Sequence, residues 1–199
     1  MIDLSASSLE VAPLLLGAVL VHDSPQGSVA VRITEVEAYV GDGVDPGSHA
    51  FRGRTPRNAS MYGPPGHLYT YFTYGMHVCA NVVCSPEGEA SAVLLRAGEV
   101  VAGVELARSR RPTSRADVDL ARGPALLVRS LGIALDEDGA DLSAPPFELR
   151  MPAAPLSAVT RTLRTGVSGP GGIAPFDWRF SVAGDPTVSP YKRHPKLPR

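Results

Sequence analysis

The pattern of apolar and polar positions predicts short helices and strands along the whole chain. Apolar residues recur at helical spacing after Ser7 and Ser8, either of which can cap a first turn, and Gly17 can end this helix. Runs of β-branched residues over 18–22 and 28–40 predict two strands, joined by a turn of Pro and Gly. The chain therefore begins with a helix and a hairpin.

The middle of the chain adds further strands after a long loop. Residues 41–66 are rich in Gly and Pro, and loops of this length are usually functional or mobile. Residues 68–83 predict one or two strands that bend at Gly75, and residues 92–97 predict a short apolar strand. Residues 99–110 have helical spacing and end in arginines that suit a helix C-terminus.

The remaining predicted elements are again helices and strands. They are expected to be a helix from Pro124 to Gly132, strands over residues 147–151 and 178–182, and a glycine-rich loop over residues 165–175. The chain therefore contains both predicted strands and predicted helices.

Length and composition favour one globular domain. The 199 residues can bury a single core, and 44% of them are hydrophobic while 20% are charged. The longest apolar run, residues 11–21, is too short to cross a bilayer, so we expect a cytoplasmic protein without a membrane partner. We expect a domain over residues 1–189 and a basic, proline-rich, flexible tail over residues 190–199.

Charge is unevenly distributed along the chain. The net charge is −1, but residues 151–199 carry +5 and residues 1–150 carry −6. Arginines cluster near residues 52–57 and 108–115; such patches can follow a phosphate backbone or be ordinary solvated faces. Both lysines lie in the last eight residues, so the body of the chain offers no lysine for an imine intermediate.

Two acids on one predicted strand are candidates for chemistry. Regular pleating places Glu35, Glu37 and Tyr39 on one face, with neighbours about 6–7 Å apart. Carboxylates this close each raise the cost of ionising the other. One of them could act as a general base, or each could pair with an arginine.

Aromatic residues crowd the second strand region. Tyr69 and Tyr71 share a face, and these rings could form a core ladder. Tyr74 precedes Gly75 at a strand tip, where an aromatic side chain can wedge between base pairs. His49 lies in the long loop and could be a solvated side chain, and the histidines show no metal-ligand spacing.

Four separate motifs resemble one known family in order and spacing. Over residues 35–41, 54–58, 68–81 and 94–97 the chain is similar to the 3-methyladenine DNA glycosylase family of the alkyladenine type. The resemblance continues through residues 123–133 to residues 178–180 and so spans nearly the whole chain. It implies a single-domain α+β (mixed α/β) fold with a curved antiparallel sheet, flanking helices and a protruding hairpin that inserts into DNA.

The resemblance also implies a role for individual residues. Glu37 would activate water as the catalytic base and Arg96 would help to hold that water. The other implied roles are base contacts by Tyr39, His49, Tyr71 and Asn81, insertion into the duplex by Tyr74, and backbone contacts by Arg54 and Arg57. The implied enzyme is a monomeric, monofunctional glycosylase that needs no cofactor or metal and acts on damaged purines from the minor-groove side of double-stranded DNA.

Two other classes remain open from the residues alone. A non-catalytic nucleic-acid binding module could use the same aromatic side chains only for stacking, and it would need no carboxylate at position 37. A structural domain could keep the tyrosines as core residues.

Overall fold

The computed structural model describes residues 3–73, residue 75 and residues 77–197. Within these residues, nine strands form one antiparallel sheet on which three α-helices pack. The strands are β1 (Val19–Ser24), β2 (Gly27–Val40), β3 (Leu68–Thr73), β4 (His77–Val83), β5 (Ser91–Ala102), β6 (Ala121–Arg122), β7 (Phe147–Arg150), β8 (Val159–Thr162) and β9 (Arg179–Val182), and the helices are α1 (Ser8–Leu14), α2 (Val104–Arg110) and α3 (Pro124–Leu131). This confirms the α+β class.

Strand β2 organises the sheet, because it pairs with β1, β5 and β9. The main path runs β3-β4-β5-β2-β1-β7, with β6 beside β5 and β8 beside β9. The register between β2 and β5 shifts between Ala30 and Val31 and again between Ile33 and Val36. Irregularities of this kind bend a strand and increase its twist, so the sheet is curved and β2 can exchange one neighbour for another along its length.

Strands β3 and β4 form the hairpin that carries the tyrosine cluster. Their register runs from Leu68 opposite Val82 to Thr73 opposite His77. Gly75, at the turn, has φ +67°, a left-handed conformation that glycine adopts without steric cost. The bend expected at this glycine is confirmed, whereas its neighbour Tyr74 lies outside the described residues.

The helix expected over residues 99–110 is wrong in its first part. Strand β5 continues to Ala102, with Glu99 opposite Arg32 and Val100 opposite Val31, and α2 begins only at Val104. Pairing with the long strand β2 satisfies the backbone of this β-branched segment and overrides its helical spacing. The pattern also missed β8 and the two-residue β6.

Two apolar clusters support the sheet. The larger one joins α1 and α3 to the buried face of the strands, with Leu15, Leu20 and Leu131 fully buried. The smaller one includes Met61 and Tyr69 and lies beneath the candidate site. No helix among the described residues has the length and apolar character that crossing a membrane requires.

The segment assigned to a flexible tail contacts the rest of the protein. The carbonyl of Lys192 accepts a hydrogen bond from the N–H of Gly166 at 2.8 Å, and Leu197 is only 5% exposed. The division of the chain at residue 189 stays a prediction.

Candidate active site

Glu37 lies on β2 with its side chain fully buried, and three donors converge on its carboxylate. Its Oε1 accepts the backbone N–H of Thr165 at 2.6 Å. Its Oε2 accepts the hydroxyl of Tyr39 at 2.8 Å and Nη1 of Arg96 at 3.2 Å. A carboxylate has about four acceptor positions, so this arrangement holds the side chain in place and leaves one position for another donor.

Glu35 belongs to the same network but has different partners. Its Oε1 accepts Nε of Arg96 at 2.6 Å and Nε of Arg179 at 2.7 Å, and its Oε2 accepts the N–H of Ser189 at 2.7 Å. Arg96 therefore bridges the two glutamates, which confirms that they share a face of β2. Glu35 orients Arg96, and Arg96 in turn contacts Glu37.

Charge pairing controls protonation in this network. Burial by itself would raise the pKa of Glu35, but the guanidinium groups of Arg96 and Arg179 outweigh it and lower that pKa. Burial alone would likewise lower the pKa of Arg96, and the carboxylates of Glu37 and Glu35 raise it instead. The glutamate at position 35 is thus an anion and Arg96 a cation at neutral pH.

We expect this pairing to appear in the acid stability of the protein. Because the folded-state pKa of Glu35 lies below its ordinary value of 4.5, its contribution is present above that pH and is lost as pH falls through the folded pKa. Thermal unfolding measured from pH 7 to pH 3 should show a shallower loss below pH 4.5 for Glu35→Gln than for the wild type. The exposed Glu87→Gln is the control, and an unchanged acid limb in Glu35→Gln would contradict the prediction.

The four residues expected to contact a base line one cavity of about 80 Å³. Tyr39 comes from β2, Tyr71 from β3, Asn81 from β4 and His49 from the long loop. A neighbouring cavity of about 390 Å³ shares Tyr39, His49 and Tyr71 with the first and extends to Arg96. The sheet curvature and the loop thus bring together side chains that are far apart in sequence.

The aromatic rings that line this cavity pack against one another. The centroids of His49 and Tyr71 are 4.5 Å apart with an angle of 84° between the planes, and those of Tyr69 and Tyr71 are 5.7 Å apart. Nδ1 of His49 lies 3.1 Å from the hydroxyl of Tyr69, while Nδ2 of Asn81 donates to the Tyr69 carbonyl at 3.0 Å. Tyr69 is almost fully buried, so it is both a core residue and a support for the cavity.

The aromatic side chains are neutral at neutral pH. Burial, together with the charge of Glu37, raises the pKa of Tyr39 well above its ordinary value, so its phenol stays a donor. Burial also raises the pKa of Tyr71. Packing around the ring of His49 and the nearby charge of Arg57 lower the pKa of this imidazole. The cavity therefore presents uncharged rings.

A buried ion pair supports Tyr39 from behind, and the sequence analysis missed it. The guanidinium of Arg164 lies 4.5 Å from the centroid of the Tyr39 ring and forms two bonds of 2.6 Å with the carboxylate of Asp45. It also donates to the carbonyls of Ala38 and Gly171. An arginine next to Thr165 in a glycine-rich loop was the available signal, but only the fold places it against β2.

The structure describes two of the three residues that we expect to contact DNA outside the cavity. Nη2 of Arg57 donates to the carbonyl of Phe72 at 3.1 Å, next to the tip of the hairpin. The guanidinium of Arg54 lies 5.7 Å from the ring centroid of Tyr62. The wedge expected at Tyr74 falls on a residue outside the described part of the chain.

The carboxylate of Glu37 lies behind the cavity rather than on its surface. Its three donor residues, Tyr39, Arg96 and Thr165, all line the 390 Å³ cavity, whereas Glu37 itself is fully buried. These residues form a floor between the acid and the cavity. The acid thus lies one side chain away from the cavity, with one acceptor position still open to a further donor.

Comparison with known proteins gives a consistent result over most of the chain. The family model described as methylpurine-DNA glycosylase matches residues 3–186. Three relatives, each named "Putative 3-methyladenine DNA glycosylase", come from Leifsonia xyli, Streptomyces avermitilis and Nocardia farcinica. They are 66%, 56% and 50% identical to this chain over 96%, 94% and 92% of its length and 91%, 88% and 87% of their own.

Proposed function

This chain belongs to the methylpurine-DNA glycosylase family, and from that premise we propose that it flips damaged purines out of duplex DNA and hydrolyses their N-glycosidic bonds, which initiates base excision repair. The proposed substrates are 3-methyladenine, 7-methylguanine, hypoxanthine and ethenoadenine. The observation that carries the proposal is the anchored carboxylate of Glu37 beneath a cavity lined by Tyr39, His49 and Tyr71.

The cavity suits a flat base that carries positive charge. Alkylation of a purine at N3 or N7 makes the base cationic, and an aromatic face attracts a cation by about 0.5–2 kcal/mol. Neutral rings at Tyr39, Tyr71 and His49 favour such a base over a normal one, since a protonated imidazole would repel it. Asn81, at the wall of the same cavity, would crowd the exocyclic amine of guanine.

The proposed chemistry is a single hydrolysis. The oxygen of a water molecule forms a bond to C1′ of the sugar while the bond between C1′ and the purine nitrogen breaks, and the purine leaves with that electron pair. Glu37 accepts a proton from the water, and Arg96 holds the water and the carboxylate in position. For a cationic purine the leaving group is neutral, so no separate acid is required.

Access to the base requires a distorted duplex. A base in the stack cannot reach an enclosed site, and extrusion costs a few kcal/mol. We propose that Tyr74 fills the space left in the duplex from the minor-groove side, and that Arg54 and Arg57 contact phosphates near the hairpin. The enzyme would act as a monomer on chromosomal DNA in the cytoplasm.

The proposal is tested by incubating the purified chain with duplex DNA methylated by an alkylating agent. We expect free 3-methyladenine to appear in the supernatant by chromatography, at a rate far above that of the protein-free control, because the site combines base binding with an anchored carboxylate. The same duplex without methylation controls for release of normal bases. Binding to methylated DNA without release of any purine would instead support the stacking-only module.

A further inference from the structure

Thr165 contacts the acid and lines the cavity, and its side-chain hydroxyl forms no hydrogen bond with the described residues. Its N–H donates to Oε1 of Glu37 at 2.6 Å, and the residue lines the 390 Å³ cavity. Its hydroxyl oxygen Oγ1 is buried and has no hydrogen-bond partner among the described residues. A buried hydroxyl without a partner is uncommon and destabilising, so this atom is available to a ligand from outside the chain.

The side chains of the other two floor residues already form hydrogen bonds with their neighbours. The hydroxyl of Tyr39 is committed to Glu37. Arg96 distributes its guanidinium among Glu35, Glu37 and Ser189. Of the three residues that contact Glu37, Thr165 therefore has the side-chain polar atom that forms no hydrogen bond among the described residues. Two N–H groups of Arg96 and the oxygen of Tyr39 can contact the same water.

We propose that the Thr165 hydroxyl is a ligand of the attacking water and holds it against the remaining acceptor position of Glu37. This inference rests on the proposed function. When the floor opens around a bound nucleotide, the water donates one hydrogen to Glu37 and forms its second hydrogen bond with Oγ1. Because the Thr165 N–H fixes Oε1, the same residue positions both the base and the nucleophile.

The atoms balance without a further reactant. The water oxygen bonds to C1′, the purine takes the electrons of the broken bond, and one water proton passes to Glu37. The threonine hydroxyl keeps its own proton and is chemically the same after the step as before it. Its contribution is orientation of the water, so it is expected to affect the chemical step and not the affinity for DNA.

The test compares Thr165→Val with Thr165→Ser in single-turnover purine release from methylated duplex DNA. Valine keeps the shape and the backbone N–H but removes the hydroxyl, and serine keeps the hydroxyl. One lost hydrogen bond in the transition state predicts a rate about 3–10-fold lower for Thr165→Val. The affinity for methylated DNA should stay close to that of the wild type and the melting temperature should not fall, because the hydroxyl that is removed has no partner in the protein. Thr165→Ser should restore most of the rate.

The possible outcomes separate the inference from the function on which it rests. A Thr165→Val enzyme as fast as the wild type would overturn the inference, and so would equal losses in the valine and serine variants, which would indicate packing by the threonine methyl group. Either result leaves the glycosylase proposal standing, because the wild type still releases purine. A wild type that releases no purine would remove both.

Discussion

Replacing Glu37 with glutamine is expected to lower the rate of purine release by about 10²–10⁴-fold, the usual contribution of a general base. Glutamine has nearly the same shape but cannot accept a proton from water at neutral pH. The affinity for methylated duplex DNA should change little, because Glu37 is sealed behind Tyr39, Arg96 and Thr165 and does not line the cavity. Single-turnover release and binding by fluorescence anisotropy separate the two effects.

The matched control is Glu35→Gln, on the same strand and bound to the same arginine. An amide at position 37 must also fit three donors, so the melting temperatures of both variants have to be measured. We expect Glu35→Gln to lose stability and to keep far more activity than Glu37→Gln at a temperature where both are folded. Full activity in a folded Glu37→Gln protein would remove this acid from the mechanism.

Replacing Asp45 with alanine is expected to destabilise the protein by about 3–5 kcal/mol, the usual cost of removing one partner of a buried ion pair. Both side chains of the Asp45–Arg164 pair are fully buried, so the variant leaves a guanidinium charge without its counter-ion. For a chain of this size the melting temperature should fall by about 6–20 °C. Calorimetry or circular dichroism provides the measurement.

The exposed pair of Asp177 and Arg161 supplies the control, since Asp177→Ala removes the same side chain from a pair that is about half exposed at both ends. Solvated pairs contribute about 0–1 kcal/mol, so this variant should melt close to the wild type. Equal melting temperatures for Asp45→Ala and Asp177→Ala would contradict the prediction. Below its melting temperature, Asp45→Ala should also release purine more slowly, because Arg164 supports the ring of Tyr39.

Local patterns were sufficient where neighbouring residues determine the structure. The turn between β1 and β2, the left-handed bend at Gly75 and the helix between Pro124 and Gly132 follow from the chemistry of a few adjacent residues. The pattern failed at residues 99–102, where pairing with β2 decided between helix and strand. Such pairing joins residues far apart in sequence, and periodicity within a short window cannot detect it.

For the candidate site, too, the sequence determined one part and the tertiary structure decided the other. The sequence by itself determined the family, the α+β class and the residue types of the site, because Glu37, Tyr39, Tyr71 and Arg96 lie in motifs that are recognisable along the chain. The sequence could not determine that Glu37 is buried behind the three residues that donate hydrogen bonds to it. That burial comes from the curvature of β2 and from a loop more than a hundred residues away.

The roles inferred for Thr165 and Arg164 were likewise decided only by the tertiary structure. In the sequence Thr165 begins a glycine-rich loop and Arg164 directly precedes it, without a clear pattern. In the fold, the N–H of Thr165 contacts the acid and its hydroxyl is buried, while Arg164 places a charge behind Tyr39. The physical reason is that a hydrogen bond depends on distance and direction between atoms, and these are set only when the loop packs against the sheet.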